Sequence, residues 1–199
     1  MKNNMIVKLG AVLCIVSAIA AGILAYTNDA TKEKIAIAEE MASSGPEVAQ
    51  AVIPNSATFE LLDDTALIDK IKSENPDFIE IRINKDASGN QLGYGIRTFS
   101  PTPGYAGKVE IFLGVSLEGK ILGMKIVSMK ETAGLGTKIG EPKFQTQFLN
   151  RDTASEIKVS KSNPKENEIL ALTGATRSSK SFTSAVNNAM TIYNEYLKK

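Results

Sequence analysis

The sequence has 199 residues, 43% of them hydrophobic, and a formal net charge of +1. A chain of this size can bury one core, and its balanced charge argues against a nucleic-acid partner. It contains no histidine, and Cys14 is its single cysteine. This composition argues against a zinc site, an iron–sulfur cluster or a Ser-His or Cys-His dyad. We therefore expect no metal site and no catalytic residues, so any redox group is organic or belongs to a partner.

The first predicted element is an apolar segment near the N-terminus. Leu9 to Tyr26 is an uncharged run of 18 residues. As a helix rising ~1.5 Å per residue, it is long enough to cross most of the hydrocarbon core of a membrane. A cleaved signal peptide is the alternative, but the run is longer than the apolar region of most signal peptides. We predict an uncleaved transmembrane helix over residues 9–26.

The segments on either side of this helix predict its orientation. Residues 1–8 form a short, positively charged N-terminus, whereas the remainder after the helix is long. This arrangement favours a cytoplasmic N-terminus and an extracytoplasmic bulk, in a single-pass protein of the cytoplasmic membrane. Residues 27–56 combine a charged helical stretch with a segment broken by Gly45, Pro46 and Pro54. They are predicted to be a stalk and linker before a folded domain over residues 57–199.

The domain is predicted to belong to the α+β class. After a short helix around residues 66–72, two stretches of alternating hydrophobicity predict hairpins that turn at residues 86–89 and 118–119. A further short strand is expected within residues 156–161. The C-terminal segment has one apolar helical stripe, which consists of Phe182, Val186, Ala189, Met190, Tyr193 and Leu197. Such a helix can cover one face of an antiparallel sheet.

A glycine-containing loop after the second hairpin could bind a ligand. It has the sequence KETAGLGTKIGEPKF and includes Gly134, Gly136 and Gly140. Its third glycine lies one residue too late for a dinucleotide-binding turn, and no βαβ unit follows. A flexible surface loop is one interpretation. The other is that backbone N–H groups around Gly134 and Gly136 approach a ligand closely.

The stretch LTGATRSSKSF, residues 172–182, precedes the C-terminal helix and is rich in hydroxyl groups. One interpretation is a turn in which a Ser or Thr caps the helix. The other is a phosphate site, because the free N–H groups and positive dipole end of a helix N-terminus attract anions. Spacing alone leaves both open.

Three segments together resemble a known family. TGATRSS resembles the S/T-G-A-T/S signature of FMN-binding domains with a covalently attached flavin, and ETAGLGTKIGEPKFQTQF resembles their E-T-P-G-L-G stretch. GYAGKVEIFLGVSLEGKILGMKIVS is similar to the G-Y-x-G strand region that precedes that stretch. With its N-terminal apolar helix, the chain resembles the G subunits of the Rnf electron-transport complex over nearly its whole length. The C subunit of the sodium-translocating NADH:quinone reductase belongs to the same domain family.

The resemblance implies a set of cofactor-binding residues. Thr176 would carry FMN through a phosphoester, installed from FAD by a flavin transferase after export. Thr173, Gly174 and Ala175 would shape the attachment turn, next to Ser178 and Ser179. The residues expected to border the isoalloxazine or flank it are Glu131, Thr132, Gly134, Leu135, Gly136, Thr137 and Lys138.

The resemblance also implies a function. We expect an electron-carrier subunit, without an independent active site, of an ion-translocating ferredoxin:NAD+ oxidoreductase. Its partners would be the other membrane and peripheral subunits of the Rnf complex. Two alternatives are the corresponding C subunit of the quinone reductase and a non-redox extracytoplasmic binding or scaffold protein.

Overall fold

The computed structural model describes residues 2–198, and the side chains of residues 5–34 and 45–198. The chain divides into two compact units, Met1–Met41 and Ala42–Lys199. Helix α1 (Lys2–Ser44) is continuous through the predicted stalk. Within it, Met5–Lys34 contains an 18-residue stretch with a mean hydropathy of 2.4 and is long and apolar enough to cross a membrane. The predicted transmembrane segment lies inside this range.

The second unit is an α+β domain, as predicted. Strands β1 to β5 form an antiparallel sheet in sequential order, and β6 pairs with β7 in parallel. The elements are α2 (Pro46–Val52), β1 (Thr58–Leu61), α3 (Thr65–Glu74), β2 (Phe78–Lys85), β3 (Gln91–Phe99), β4 (Glu110–Ser116), β5 (Ile121–Ser128), α4 (Pro142–Gln145), β6 (Lys158–Ser160), β7 (Glu168–Leu170) and α5 (Thr176–Ile192). Both predicted hairpins and the short strand in residues 156–161 are confirmed, whereas β1 and β7 were missed.

The two hairpin turns lie where the sequence predicted them. Gly89 (φ +84°) and Gly119 (φ +81°) supply the left-handed backbone that tight turns require. In the first turn Asp86 accepts hydrogen bonds from the backbone N–H groups of Ser88 and Asn90. A further bond from the Asn90 side chain contributes most to holding the pKa of the Asp86 carboxyl below its ordinary value.

Helix α5 covers one face of the sheet with the predicted apolar stripe. All six residues of that stripe are buried. They pack into the main core with Ile96 and Leu113 of the sheet. Phe182 makes edge-to-face contacts with Phe144 and Phe148, a favoured arrangement for aromatic rings. At the C-terminal end a π-helical turn over Tyr193–Leu197 keeps the stripe in contact with the core.

A row of glycines lets α2 lie directly on the opposite face. Gly95, Gly114 and Gly123 are cross-strand partners on β3, β4 and β5. A Cβ atom on Gly114 would stand 1.8 Å from the carbonyl oxygen of Val52, and one on Gly123 would stand 2.3 Å from that of Ala51. Side chains at these positions would therefore lift the helix off the sheet.

The predicted linker is wrong at its C-terminal end. Residues 46–52 form α2 instead of a linker, and Val48, Val52 and Ile53 are buried against Phe112. The folded unit begins at Ala42, well before the predicted domain boundary at residue 57. The Gly and Pro residues predicted a break in secondary structure. Pro46 instead lies in the first turn of α2, where proline is tolerated.

Replacing Gly114 with alanine tests how α2 docks. We expect Gly114→Ala to lower the free energy of unfolding by about 1–3 kcal/mol, because the new Cβ overlaps the Val52 carbonyl. The measurement is urea unfolding of the detergent-solubilised chain. Gly140→Ala is the control, since its Cβ would lie an ordinary 3.6 Å from Ile126 Cδ1. Equal stabilities of the two variants would contradict this account of the glycine row.

Candidate functional site

The structure brings the two predicted loops together around one cavity. The cavity has a volume of about 320 Å³ and lies beside the N-terminus of α5. Its lining residues are Tyr105, Glu131, Thr132, Leu135, Gly136, Gly174, Ala175, Arg177 and Ser178. Seven of these were site candidates from the sequence. Tyr105 and Arg177 were not predicted as site residues. Both lie within motifs that carried the resemblance, Tyr105 in GYAG and Arg177 in TGATRSS.

Glu131 is one of the residues that line the cavity. Its side chain is buried, with the residue 8% exposed. The Ser178 hydroxyl donates a 2.8 Å hydrogen bond to Oε2, and the backbone N–H of Tyr105 donates a 2.8 Å bond to Oε1. One carboxylate thus joins its own loop to α5 and to the turn that contains Tyr105.

The glycines of the first loop have two different roles. Gly134 has a φ of +71° and forms a turn in which its N–H donates to the Thr137 hydroxyl at 3.0 Å. Gly136 has no such φ, but a Cβ there would stand 2.6 Å from Glu131 Oε2 and 2.7 Å from Ser178 Oγ. Its missing side chain therefore makes room for the Glu131–Ser178 contact, a reason that sequence spacing did not reveal.

The TGAT turn interlocks with the first loop. Gly174 has a φ of +77°, and a Cβ at this position would lie 3.1 Å from Leu135 Cδ1. Ala175 is the N-cap residue of α5, and no side-chain hydrogen bond caps the helix. The interpretation of this stretch as a Ser or Thr cap is therefore wrong. The free N–H groups of the first turn remain available to an anion.

The hydroxyl groups of this stretch differ in availability. Ser178 and Ser179 are buried. Ser178 donates to Glu131, while Ser179 donates to the Ala175 carbonyl and accepts from the Leu172 N–H. Thr176 is half-buried at the first residue of α5 and Thr173 is exposed. Neither threonine hydroxyl has a hydrogen-bond partner among the described residues.

The remaining sequence candidates lie outside the lining of the cavity. These are Thr173, Thr176, Gly134, Thr137, Lys138 and Ser179. Thr176 lies between the lining residues Ala175 and Arg177, whereas Lys138 is exposed in the 3₁₀ turn Gly136–Gly140. Among the side chains of residues 5–34 and 45–198, no group of three or more His, Cys, Asp or Glu could hold a metal ion.

The fold and the cavity define the class of protein. The model of the FMN-binding domain matches residues 104–191, a range that contains every residue lining the cavity. A crystal structure of NqrC from Shewanella oneidensis matches with a TM-score of 0.52 and 17% identity, covering 59% of this chain and 60% of that one. The C subunit of the Na+-translocating NADH-quinone reductase from Parabacteroides distasonis gives a TM-score of 0.55 at 18% identity, covering 72% and 79%. The domain is an FMN-binding domain with this fold.

Curated relatives identify the family more closely. The chain is 38% identical, over 98% of its length and 95% of the relative, to the G subunit of the Na+-translocating ferredoxin:NAD+ oxidoreductase complex of Acetobacterium woodii. It is 28% identical to the G subunit of the ion-translocating oxidoreductase complex of Methanosarcina acetivorans, over 93% of each chain. The chain belongs to this family of G subunits, and the resemblance drawn from its motifs is confirmed.

A substitution at Gly136 tests the packing of the cavity wall. We expect Gly136→Ala to lower the free energy of unfolding by about 1–3 kcal/mol, because its Cβ would separate Glu131 from Ser178. Gly134→Asn is the matched control, since asparagine tolerates a positive φ and a Cβ there meets nothing within 4 Å. Both values come from urea unfolding of the full chain. A larger loss in Gly134→Asn would show that backbone conformation, not this contact, limits the loop.

Proposed function

We propose that the chain is a membrane-anchored flavoprotein subunit that relays electrons through FMN bound covalently at Thr176, within an ion-translocating ferredoxin:NAD+ oxidoreductase complex. The observation that carries this proposal is the free Thr176 hydroxyl at the uncapped N-terminus of α5, beside a cavity of the FMN-binding domain. The family membership of the whole chain supports its place in such a complex.

The geometry of α5 favours Thr176 over its neighbours as the attachment site. A phosphodiester keeps one negative charge, which is stabilised by the N–H groups of the first helical turn. Thr176 is the first residue of α5. Ser178 and Ser179 are buried with their hydroxyls in use, and Thr173 lies in the exposed turn before the helix.

The cavity offers surfaces that suit a flavin ring. Leu135 and Tyr105 are exposed lining residues that can lie against an apolar ring, and Arg177 adds positive charge near the phosphate. Bound FMN supplies the one- and two-electron redox chemistry that the protein side chains do not offer. The side chains of the chain bind, orient and shield it.

The relay needs its partners in the complex. Because the redox chemistry belongs to the bound FMN, the protein is expected to pass electrons between partner subunits rather than to convert NAD or ferredoxin itself. A flavin transferase would attach the cofactor during maturation. The bulk of the chain would face the extracytoplasmic side, where a covalent tether prevents loss of the flavin.

The attachment site is tested by removing one oxygen atom. We expect Thr176→Val to fold and to lack covalent FMN, because valine keeps the β-branched shape without the hydroxyl. Thr173→Val is the control and should keep at least part of its flavin. Peptide mass spectrometry of protein from the native host locates the adduct. An adduct on Ser178 or Ser179, or one that persists in Thr176→Val, would refute the assignment.

The topology is tested by labelling. In a Cys14→Ser background, a membrane-impermeant maleimide added to intact spheroplasts should label Ser155→Cys, which is exposed in the domain. The reagent should not label Met5→Cys, which precedes the apolar run and is expected to lie on the cytoplasmic side. Intact mass of the same protein checks that the helix is uncleaved. Labelling of Met5→Cys alone would reverse the orientation, and a mature chain that begins after Ala21 would exclude an anchor.

A further inference from the structure

We infer that Glu131 is the positioning residue of the flavin site, and that it assembles the cavity through contacts that need no cofactor. The inference rests on the proposed function only in placing FMN in this cavity. Glu131 Oε1 accepts from the N–H of Tyr105, 26 residues away in sequence, and Oε2 accepts from Ser178, 47 residues away. Both donors belong to the protein, so the three segments are joined before a flavin is attached.

Two glycines make room for this carboxylate. A Cβ on Gly104 would stand 1.9 Å from Glu131 Oε1, and one on Gly136 would stand 2.6 Å from Oε2. Neither glycine has a positive φ, so neither is required by its backbone conformation. Space for the carboxylate is the requirement that they share. A surface carboxylate in an incidental contact would not need a glycine on each side.

The charge of Glu131 is compensated by hydrogen bonds instead of an ion pair. No basic side chain forms a salt bridge with it in the part of the chain whose side chains are described. Burying an unpaired carboxylate is costly unless hydrogen bonds satisfy it. Here the positive end of the α5 dipole adds to the effect of the two donors, because Ser178 lies in the first turn of this helix. An apolar side chain could fill this volume but could not accept from both segments.

The consequence for the site is the placement of Tyr105. Its backbone is held between Glu131 and the turn in which the Gly104 N–H donates to the Gly107 carbonyl at 2.6 Å. Its side chain is 73% exposed at the edge of the cavity. Glu131 therefore fixes the backbone from which this aromatic ring extends at the edge of the cavity, and so the region in which the ring can shield a bound flavin from water.

The first experiment measures hydrogen exchange in the flavin-free Thr176→Val chain. We expect Glu131→Ala to speed exchange of the Tyr105 amide about ten-fold or more, because a hydrogen bond to a charged acceptor is lost. Glu131→Gln should keep exchange slow, since its carbonyl can accept from Tyr105 and its amide can donate to Ser178. Glu141→Ala is the control, because it removes an exposed carboxylate that lies ten residues after Glu131 in the sequence. Equal Tyr105 rates in Glu131→Ala and the parent chain would overturn the inference.

The second experiment uses the flavin-loaded chain and the visible circular dichroism of its flavin, which reports a fixed, asymmetric environment. We expect the signal to fall in Glu131→Ala and in Gly104→Ala, which displaces the carboxylate without removing it, and to persist in Glu131→Gln. The double variant should be no worse than either single one, because both break the same contact. Unchanged signals in both alanine variants would overturn the inference, and Gly104→Ala preserves the test if Glu131→Ala does not fold.

The two experiments separate this inference from the proposed function. If the native protein carries no FMN at Thr176, the proposed function fails, while the exchange rates in the flavin-free chain still decide the role of Glu131. If FMN is present on Thr176 and neither the exchange rates nor the dichroism respond to the loss of Glu131, the inference alone fails.

Discussion

The site depends on the packing of α5 against the antiparallel sheet. The apolar stripe that begins in this helix at Phe182 and ends at Leu197 is buried in the main core, and fully burying a Val, Leu, Phe or Met side chain stabilises a fold by roughly 1.5–3 kcal/mol. Packing along the whole helix fixes where its first turn lies. That turn carries Thr176 and Ser178 and faces the loop of Glu131. The same apolar burial that stabilises the domain therefore positions the N–H groups that suit a phosphate.

Close approach between backbone and neighbouring groups recurs in the domain and is made possible by glycine. On the face of the sheet opposite α5, the row of glycines that includes Gly114 allows α2 to lie against the strands. At the cavity, Gly104 and Gly136 surround a carboxylate. In both places another part of the protein occupies the space that a Cβ atom of the glycine would take. Such glycines differ from Gly134 and Gly174, where a positive φ is the requirement.

A redox protein without histidine and with one cysteine has few ways to hold a cofactor. Cys14 lies in the apolar helix and is exposed, which leaves the domain without thiolate ligands. A phosphoester to a threonine needs only a hydroxyl, an uncapped helix N-terminus and a cavity for the ring. The domain provides all three near Thr176. The composition of the chain therefore agrees with the proposed attachment, in which an organic electron carrier would be bound through its phosphate.

The sequence by itself determined the elements whose signals are local. Alternating hydrophobicity and turn residues located both hairpins, the apolar run located the membrane helix, and the motifs around Gly134 and Thr176 identified the family. Tertiary structure alone decided what depends on contacts between distant residues. Residues 46–52 looked like a linker because Pro and Gly break local patterns, yet they form a helix that packs directly on the glycine row. Glu131 was expected to border the flavin, but its bonds to Tyr105 and Ser178 join segments far apart in the chain. No local pattern encodes such a contact, because the space and the donors come from three separate segments that the fold brings together.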